Sequence, residues 1–489
     1  MNAEVSAEFG VRKCQGLLPS GAPHSMAIFI YNSLNRKKEE FIPLNPPQVN
    51  MYTCGVTVYD DCHIGHARSL YIFDVIRRYL EYRGYRLNFV RNITDIDDKI
   101  INRACELNME WDRLVKKCIE SYYEDLESLG ISRADCEPRA TENIPEMINY
   151  IKGLIGKGYA YVTRSGVYFN VRKFSNYGKL SGQNLEQMFS GVRKEPDETK
   201  EYPLDFALWK ASKPNEPSWE SPWGNGRPGW HIECSVMSQR FLETETLDIH
   251  AGGRDLIFPH HENEISQAEA LTDKTFANYW IHHGLLTING QKMAKSLGNF
   301  VTIKDFIGRY KNPDILKLFF LSTHYSHPMD YNEEKINEAT WALERILILL
   351  DKIDRKLSGF CNIKDKGYDS IKEAKDSFIK AMDDDFNTPQ ALASLFELIN
   401  DTNKQIDDFN FIAAAYKLIL ELAQIFGFDL KKTGGFDVLS EEVSALIKRR
   451  NDAREKRDFK EADKIRKELE QKGIVLEDTK EGTVWRKRL

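Results

Sequence analysis

The stretch VNMYTCGVTVYDDCHIGHARSLYIFDVIRRYLEYRGYRLNFVRNI, residues 49–93, decides the fold. Val49 to Thr53 is a short strand that ends at Cys54-Gly55. From Ile64 to Arg83 the pattern is helical: Leu70, Phe73, Asp74, Ile76, Arg77 and Leu80 sort to opposite faces, and Gly84 supplies a C-terminal cap. Tyr85 to Ile93 reads as a second strand. Strand, helix, strand is the order of a parallel α/β sheet, because parallel strands need a crossover between them. His63-Ile64-Gly65-His66 stands where the connection from the first strand turns into helix.

Further along, Ile144, Met147, Ile148, Ile151, Leu154 and Ile155 form a helix stripe. Tyr159 to Thr163, then Ser165-Gly166, then Val167 to Val171 reads as a hairpin, so residues around 160–210 break the alternation and form an insertion. Pro214 to Pro228, rich in Pro, Gly and Trp, reads as a linker back to the sheet. Leu247 to Gly253 is a strand running into a glycine turn. After Ile315 the pattern is nearly all helix to Gln471, and a last compact unit, Gly473 to Asp478 with Gly482 to Trp485, has small-strand character.

A chain of 489 residues is too long for one core, so several domains are expected. With 42% hydrophobic and 29% charged residues the composition is that of an ordinary soluble protein. A net charge of −6 excludes a global positive field, so any RNA contact must come from local patches. The segment from Glu441 to Leu489 carries 15 Lys and Arg against 12 Asp and Glu, a mild basic bias that suits a phosphate-facing module or a solvated helical surface. The eight cysteines follow no regular framework, which points to a reducing compartment and to thiols used as core residues or metal ligands. No apolar run approaches the ~18 residues that span a bilayer. Residues 1–25 lack a continuous apolar centre and read as a disordered extension.

Two further groups of residues carry chemistry. A helix N-terminus favours anions, and His63 and His66 stand at i and i+3 on its first turn, where ring N–H groups can donate to phosphate oxygens. Gly65 lets a flat base approach the backbone. Alone, such a pair is equally a surface or metal pair. Lys292-Met293-Ala294-Lys295-Ser296 supplies two ammonium groups and a hydroxyl, suited to a migrating pyrophosphate. The order of the two motifs on an α/β pattern suggests that they grip a triphosphate from both sides. Cys54, Cys234, His260 and Glu264 have the side chains that bind zinc, and His260 and Glu264 are spaced i, i+4 so that both point the same way on a helix. His261 could replace His260, but its own i+4 residue, Ile265, cannot coordinate. A closed structural zinc and a zinc that accepts a substrate sulfur both remain open.

These motifs resemble those of the cysteinyl-tRNA synthetases, a family of class I aminoacyl-tRNA synthetases. The resemblance rests on Tyr52 to Asp60, Cys62 to His66, Val90 to Asp98, Pro228 to Cys234, Phe258 to Glu264 and Lys292 to Ser296, in the family's order, and extends from about Met26 to the C-terminus. One departure is Ala294, where the family motif has serine; weaker ATP contact with retained activity is expected. The resemblance implies a Rossmann-like parallel-sheet α/β catalytic domain with an inserted α+β connective region, then a helical bundle and a small C-terminal α+β module. The expected boundaries are an extension at 1–25, catalytic halves at 26–155 and 226–310, the insertion at 156–225, stem-contact helices at 311–365, the bundle at 366–435 and an anticodon-side module at 436–489.

By the same resemblance the chain activates L-cysteine with ATP and passes it to the 3′ end of tRNA(Cys). Cys54, Cys234, His260 and Glu264 would hold one Zn2+ per chain, which binds the substrate thiolate, and ATP would carry Mg2+. Thr94 and Trp230 would contact the amino acid. His63, His66, Lys292 and Lys295 would be catalytic, and His63, Gly65, His66, Asp255, Lys292, Lys295 and Ser296 would bind ATP. A cytoplasmic monomer with no membrane contact is expected. Zinc distinguishes a soft thiolate from the hydroxyl of serine, so the insertion is not expected to be a proofreading domain. Trp485, beside Arg486, Lys487 and Arg488, is either a stacking platform for a base or packing for the tail. Two rivals are a cysteine ligase acting on an amino-sugar, as in mycothiol synthesis, and a zinc-stabilised RNA-binding protein without catalysis. The tail after Glu441 argues against the first, and the intact His63, His66, Lys292 and Lys295 against the second.

Overall fold

The computed structural model describes residues 27–186, 199–214, 216–294, 297–358, 367–430, 441–471, 474–479 and 482–487. The extension at 1–25, Lys295 and Ser296 therefore lie outside the described residues, as do Arg488 and the side chains of Trp485, Arg486 and Lys487.

The central sheet has four parallel strands: β1 (Gln48–Thr53), β2 (Arg86–Arg91), β3 (Leu247–Gly253) and β4 (Ala277–His283), in the spatial order β4-β3-β1-β2. The connection from β1 to β2 is helix α1 (Ile64–Tyr82), as the opening stretch predicts. Gly84 follows that helix with φ +90, the left-handed conformation that a Cβ disfavours. The chain leaves β1 toward β2 on one side and later returns with β3 on the other. A crevice therefore opens at the carboxyl ends of β1 and β3, where open α/β sheets bind ligands. All seven residues of β3 are buried, Asp248 and His250 among them, because both faces of the sheet are covered.

The two-faced sorting expected for α1 does not hold. Leu70, Phe73, Ile76 and Leu80 are buried, but so is Asp74, which accepts a hydrogen bond from Arg78 Nε at 2.7 Å. The cause is a second layer: the C-terminal helices cover the outer face of α1. Tyr71 Oη donates to the carbonyl of Phe426 at 2.7 Å, and Tyr82 Oη donates to Glu421 Oε1 at 2.8 Å. Arg83 forms a buried ion pair with Asp383, which also accepts from Tyr79 Oη at 2.5 Å. The helix that begins at the His63 turn is thus packed into one hydrophobic cluster with the bundle residues Phe378, Leu395, Phe411 and Leu422.

The insertion forms its own antiparallel sheet of Ala160–Thr163, Gly166–Phe169, Phe206–Ala211 and Gly226–Pro228. The last of these falls where a linker was expected. Proline lacks an N–H, and its place at the end of an edge strand tolerates that. The following residues feed directly into helix α2 (Trp230–Phe241), which carries Cys234. A helix at Glu262–Thr272, here α3, follows β3 and carries Glu264. Its Glu262 accepts backbone N–H groups from Gly178, Leu180 and Ser181 at 2.8–3.1 Å, which fastens the insertion to the same helix.

After Ile315 the described residues are nearly all helix up to Gln471, as expected, with one short exception. Met329–Tyr331 is a strand that pairs in parallel with Leu286–Ile288, which in turn pairs with Gln291–Lys292. Asn289 and Gly290, with φ 50 and 74, make the tight turn between the last two. Helices then occupy Glu333–Leu357, Asp369–Asp383, Thr388–Lys404, Phe409–Ile425, Glu441–Glu455 and Phe459–Gln471. The final unit is the antiparallel pair Ile474–Thr479 and Gly482–Lys487. Among the described residues no helix is long and apolar enough to cross a membrane.

Candidate active site

Cys54 is the first residue after β1, Cys234 lies on the first turns of α2, and His260 and Glu264 come from the entry and first turn of α3. Their donor atoms converge in the crevice, all within 4.8 Å of one another. Cys54 Sγ is 3.8 Å from Cys234 Sγ and 3.5 Å from Glu264 Oε1. His260 Nε2 is 3.5 Å from Cys234 Sγ and 3.0 Å from Glu264 Oε1. Burial drives the Cys54 thiol well above its ordinary value. The Cys234 thiol is pushed up by the same burial, yet the hydrogen bond from Cys54 and the nearby His260 bring it down to about 6. Burial alone would raise Glu264, but His250 and His260 hold it well below the usual carboxylate range. Burial pulls His260 down, while Glu264 and Cys234 carry it up to about 10. Two thiols, an imidazole and a carboxylate around one point are donors that fit zinc.

Spacing does not exclude His261 after all. His261 and Glu264 are spaced i, i+3, which shares a helix face as well as i, i+4 does. His261 Nε2 lies 3.2 Å from Cys54 Sγ and 3.9 Å from Glu264 Oε1, and Cys54, His250, His261 and Glu264 form a second convergent set. The outer nitrogens do not separate His260 from His261, because each turns Nε2 toward a thiol and Nδ1 toward a second histidine; His250 differs, since it meets only the outer side of Glu264. His250 Nε2 is 2.7 Å from Glu264 Oε2, the oxygen turned away from the thiols. His261 Nδ1 meets His282 Nε2 at 2.8 Å, and His282 Nδ1 meets Ser33 Oγ at 2.8 Å. His260 presents Nε2 inward while its Nδ1 faces His231 Nδ1 at 2.9 Å. This is the pattern of a ligand ring held by an outer partner. Burial keeps His231, His261 and His282 far down, the last at about 3, so these rings are neutral. His231, His250, His261 and His282 were not picked out from sequence as supports. His231 adjoins Trp230, His250 sits in β3 and His282 lies near the end of β4, but single histidines in strands carry no spacing signal.

Trp230 stacks on His260 with ring centroids 4.1 Å apart and walls the cluster. Thr94, just past β2, is buried, and its Oγ donates to Glu233 Oε2 at 2.7 Å. Asn92 Oδ1 accepts from the Gly55 N–H at 2.8 Å and lies 3.7 Å from Cys234 Sγ. Thr94 and Trp230 therefore flank the thiol cluster. Asp255 is exposed just beyond β3, with its Oδ1 turned toward Gly253, and no described contact joins it to the histidine turn.

That turn is more closed than sequence alone suggests. His63 caps α1 by its own ring: Nδ1 accepts the N–H groups of Gly65 and His66 at 3.0 and 3.2 Å. The His66 Nδ1 accepts the His63 N–H at 3.3 Å. The two rings stack at 3.7 Å. Burial lowers His63 to about 4 and His66, with His63 beside it, to about 3. Each ring is a neutral imidazole whose Nδ1 is occupied as acceptor, so its proton is on Nε2 and that edge is the donor. The free helix N–H groups are partly consumed, and the imidazole edges replace them. Gly65 has no room for more: a Cβ would sit 2.8 Å from the His63 ring and 3.5 Å from Met293 Cε.

Met293 brings the lysine segment to this turn. Lys292 is exposed at the end of its short strand, and Asn299 braces the start of the loop beyond it, accepting the Ala294 N–H at 2.8 Å and donating to the Lys292 carbonyl at 3.1 Å. Val301 accepts the Ile64 N–H at 3.1 Å, and the Ile303 N–H reaches the Cys62 carbonyl at 2.9 Å. His63, His66 and Lys292 thus lie on the two sides of one turn.

A parallel sheet with a histidine turn at its first crossover, a basic loop facing it and a ligand crevice between is the catalytic fold of class I aminoacyl-tRNA synthetases. The family model for the class I (C) catalytic domain matches residues 40–341, a DALR domain model matches 377–431, and a cysteinyl-tRNA ligase anticodon-binding domain model matches 437–486. A Mycobacterium tuberculosis methionyl-tRNA synthetase solved with methionyl-adenylate shares the fold, with TM-score 0.60 and 15% identity over 78% of this chain and 90% of that one. The cysteine-tRNA ligase of Geobacillus thermodenitrificans is 50% identical over 94% of this chain and 99% of its own length. That of Persephonella marina is 49% identical over 95% and 100%. The chain belongs to the cysteine-tRNA ligase family.

Proposed function

We propose that this chain activates L-cysteine with ATP, releasing pyrophosphate, and then transfers the cysteinyl group to the terminal adenosine of tRNA(Cys). The observation that carries the reading is the convergence of Cys54, Cys234, His260 and Glu264 in the same crevice that the His63 turn borders. Cys54, Cys234, His260 and Glu264 would hold one Zn2+, which would supply a soft Lewis acid that favours a thiolate over an alcohol.

The chain's own residues do the rest. The cysteine carboxylate attacks the α-phosphorus of Mg2+-bound ATP, the bond to the bridging oxygen breaks, and pyrophosphate leaves. The Nε2–H edges of His63 and His66 donate to the triphosphate, and Lys292 and Lys295 meet the charge that builds on the departing pyrophosphate. Gly65 leaves the turn open to the nucleotide, Ser296 adds a hydroxyl to the loop, and Asp255 faces the nucleotide from beyond β3. Thr94 and Trp230 hold the amino acid. In the second step an adenosine hydroxyl of the tRNA attacks the adenylate carbonyl and AMP leaves. The bundle at 366–435 and the module at 436–489 are the surfaces for tRNA, in a cytoplasmic monomer. Support for that assignment is the pair of family models that match these segments.

The test is ATP–pyrophosphate exchange dependent on cysteine, followed by charging of tRNA(Cys), with zinc counted in the purified protein. The expected result is exchange with cysteine and none with serine. Exchange with both, or with neither, overturns the reading.

A further inference from the structure

Glu233 is buried among groups that do not neutralise it. It lies on α2 between Trp230 and Cys234, and none of its side chain is exposed. Its Oε2 accepts the Thr94 hydroxyl at 2.7 Å, while Oε1 is buried with no hydrogen-bond partner among the described residues. The ionisable groups that face it are Cys234, Asp95 and Asp97, and no cation is among them. A buried carboxyl with one orphaned oxygen is costly, and a native structure that keeps one has a use for it.

The use follows from the valence of Thr94. A threonine hydroxyl has one proton and two lone pairs. The proton is committed to Glu233, and one lone pair accepts from Asn92 Nδ2 at 3.3 Å. The remaining lone pair can only accept. Asn92 in turn lies 3.7 Å from Cys234 Sγ, so this hydroxyl sits within one side chain of the thiol cluster. A free amino acid carries one group that is both a donor and a cation, its α-ammonium. With the substrate sulfur at the cluster, the ammonium is three bonds away along the same small molecule.

We propose that Glu233 is a positioning residue which, by holding the Thr94 proton, turns the Thr94 oxygen toward the substrate α-ammonium and places a carboxyl behind it. The protein thereby selects an amino acid over a bare thiol, separately from the selection of sulfur over oxygen. This rests on the cysteine reading above.

The test uses the full-length, metal-loaded protein and two ligands: cysteine, and 3-mercaptopropionate, which is cysteine without its ammonium. Exchange by the unaltered protein is measured first; its absence would remove the cysteine reading itself, whereas exchange indifferent to Glu233 removes only this inference. Glu233→Ala is expected to raise the KM for cysteine by about 10- to 100-fold with kcat little changed, the usual scale for a charge-assisted hydrogen bond. Glu233→Gln keeps an acceptor oxygen and should raise it less. The Ki of 3-mercaptopropionate as a competitor should move in neither variant, and zinc content should stay the same. Because Glu233 acts through Thr94, Glu233→Gln should add nothing once Thr94→Val is present. If the alanine variant fails to fold or loses zinc, the glutamine variant decides. A Ki that rises together with KM, a KM that does not move, or additive effects in the double variant each overturn the proposal.

Discussion

The thiol cluster and the histidine–lysine clamp border one crevice, yet they are built on opposite principles. The cluster is buried and finished: Cys234, His260 and Glu264 are fully enclosed, and neighbouring imidazoles hold the far sides of His260 and Glu264. The clamp has one fixed jaw, the stacked pair of His63 and His66, and one exposed jaw that starts at Lys292 on a two-residue strand. In the function proposed above, selecting sulfur over oxygen depends on a geometry that does not relax, which suits donors held in place by buried neighbours. In the same reaction, charge moves from an α-phosphate to a departing pyrophosphate, and a long, exposed cation such as Lys292 at the end of its short hairpin suits that task.

The sharpest way to break this contrast is to remove a donor from the rigid half. Cys234→Ser should lower zinc content and cysteine-dependent exchange together, by about a thousandfold in rate, since a Lewis-acid contact contributes several kcal/mol. Zinc analysis beside exchange kinetics checks it; normal cysteine binding after zinc loss would make the metal structural. In the other half, Lys295→Ala should cost about 100- to 1,000-fold in kcat of adenylate formation with zinc content and cysteine binding intact. Unchanged exchange would refute the role given to that lysine.

A milder test separates ligands from their supports. His250→Ala removes the outer hold on Glu264 without touching the thiols and should weaken zinc binding by about 10- to 100-fold. Competition with a zinc chelator measures it. If His250 and His261 were instead the metal ligands, the same variant would abolish zinc binding, and His260→Ala would leave it nearly whole.

What could be read from sequence divides along the same line. The strands at 48–53 and 247–253 and the helix at 64–82 were legible because each strand is short and runs into a glycine turn, and the stretch after the first has helical spacing closed by Gly84. The four zinc candidates could be named from side-chain chemistry and resemblance. Their supports could not, since His250 and His282 meet the cluster only through the sheet. His261 was set aside because its i+4 residue cannot coordinate, although its i+3 residue, Glu264, shares the same helix face. Asp74 was misread as outward-facing because a sequence does not reveal the second layer that closes over α1. Met329–Tyr331 was missed because three residues leave no alternation, and its partner strand lies some forty residues upstream.

The smallest expected effect tests the exposed half alone. Ala294 stands where the resemblance places a serine, and its N–H is already taken by Asn299 Oδ1 at 2.8 Å. The backbone of the loop is therefore braced without help from a side chain at 294. A serine there would not be needed to shape the turn, so its hydroxyl would be free to meet the nucleotide. Ala294→Ser should then lower the KM for ATP by roughly fivefold, the worth of one neutral hydrogen bond of about 1 kcal/mol, and leave the KM for cysteine alone. Asn299→Ala, which releases the brace, should act in the other direction on ATP. If both variants leave ATP unaffected while cysteine binding shifts, the lysine loop does not belong to the nucleotide side of the crevice, and the division between a buried metal half and an exposed phosphate half falls with it.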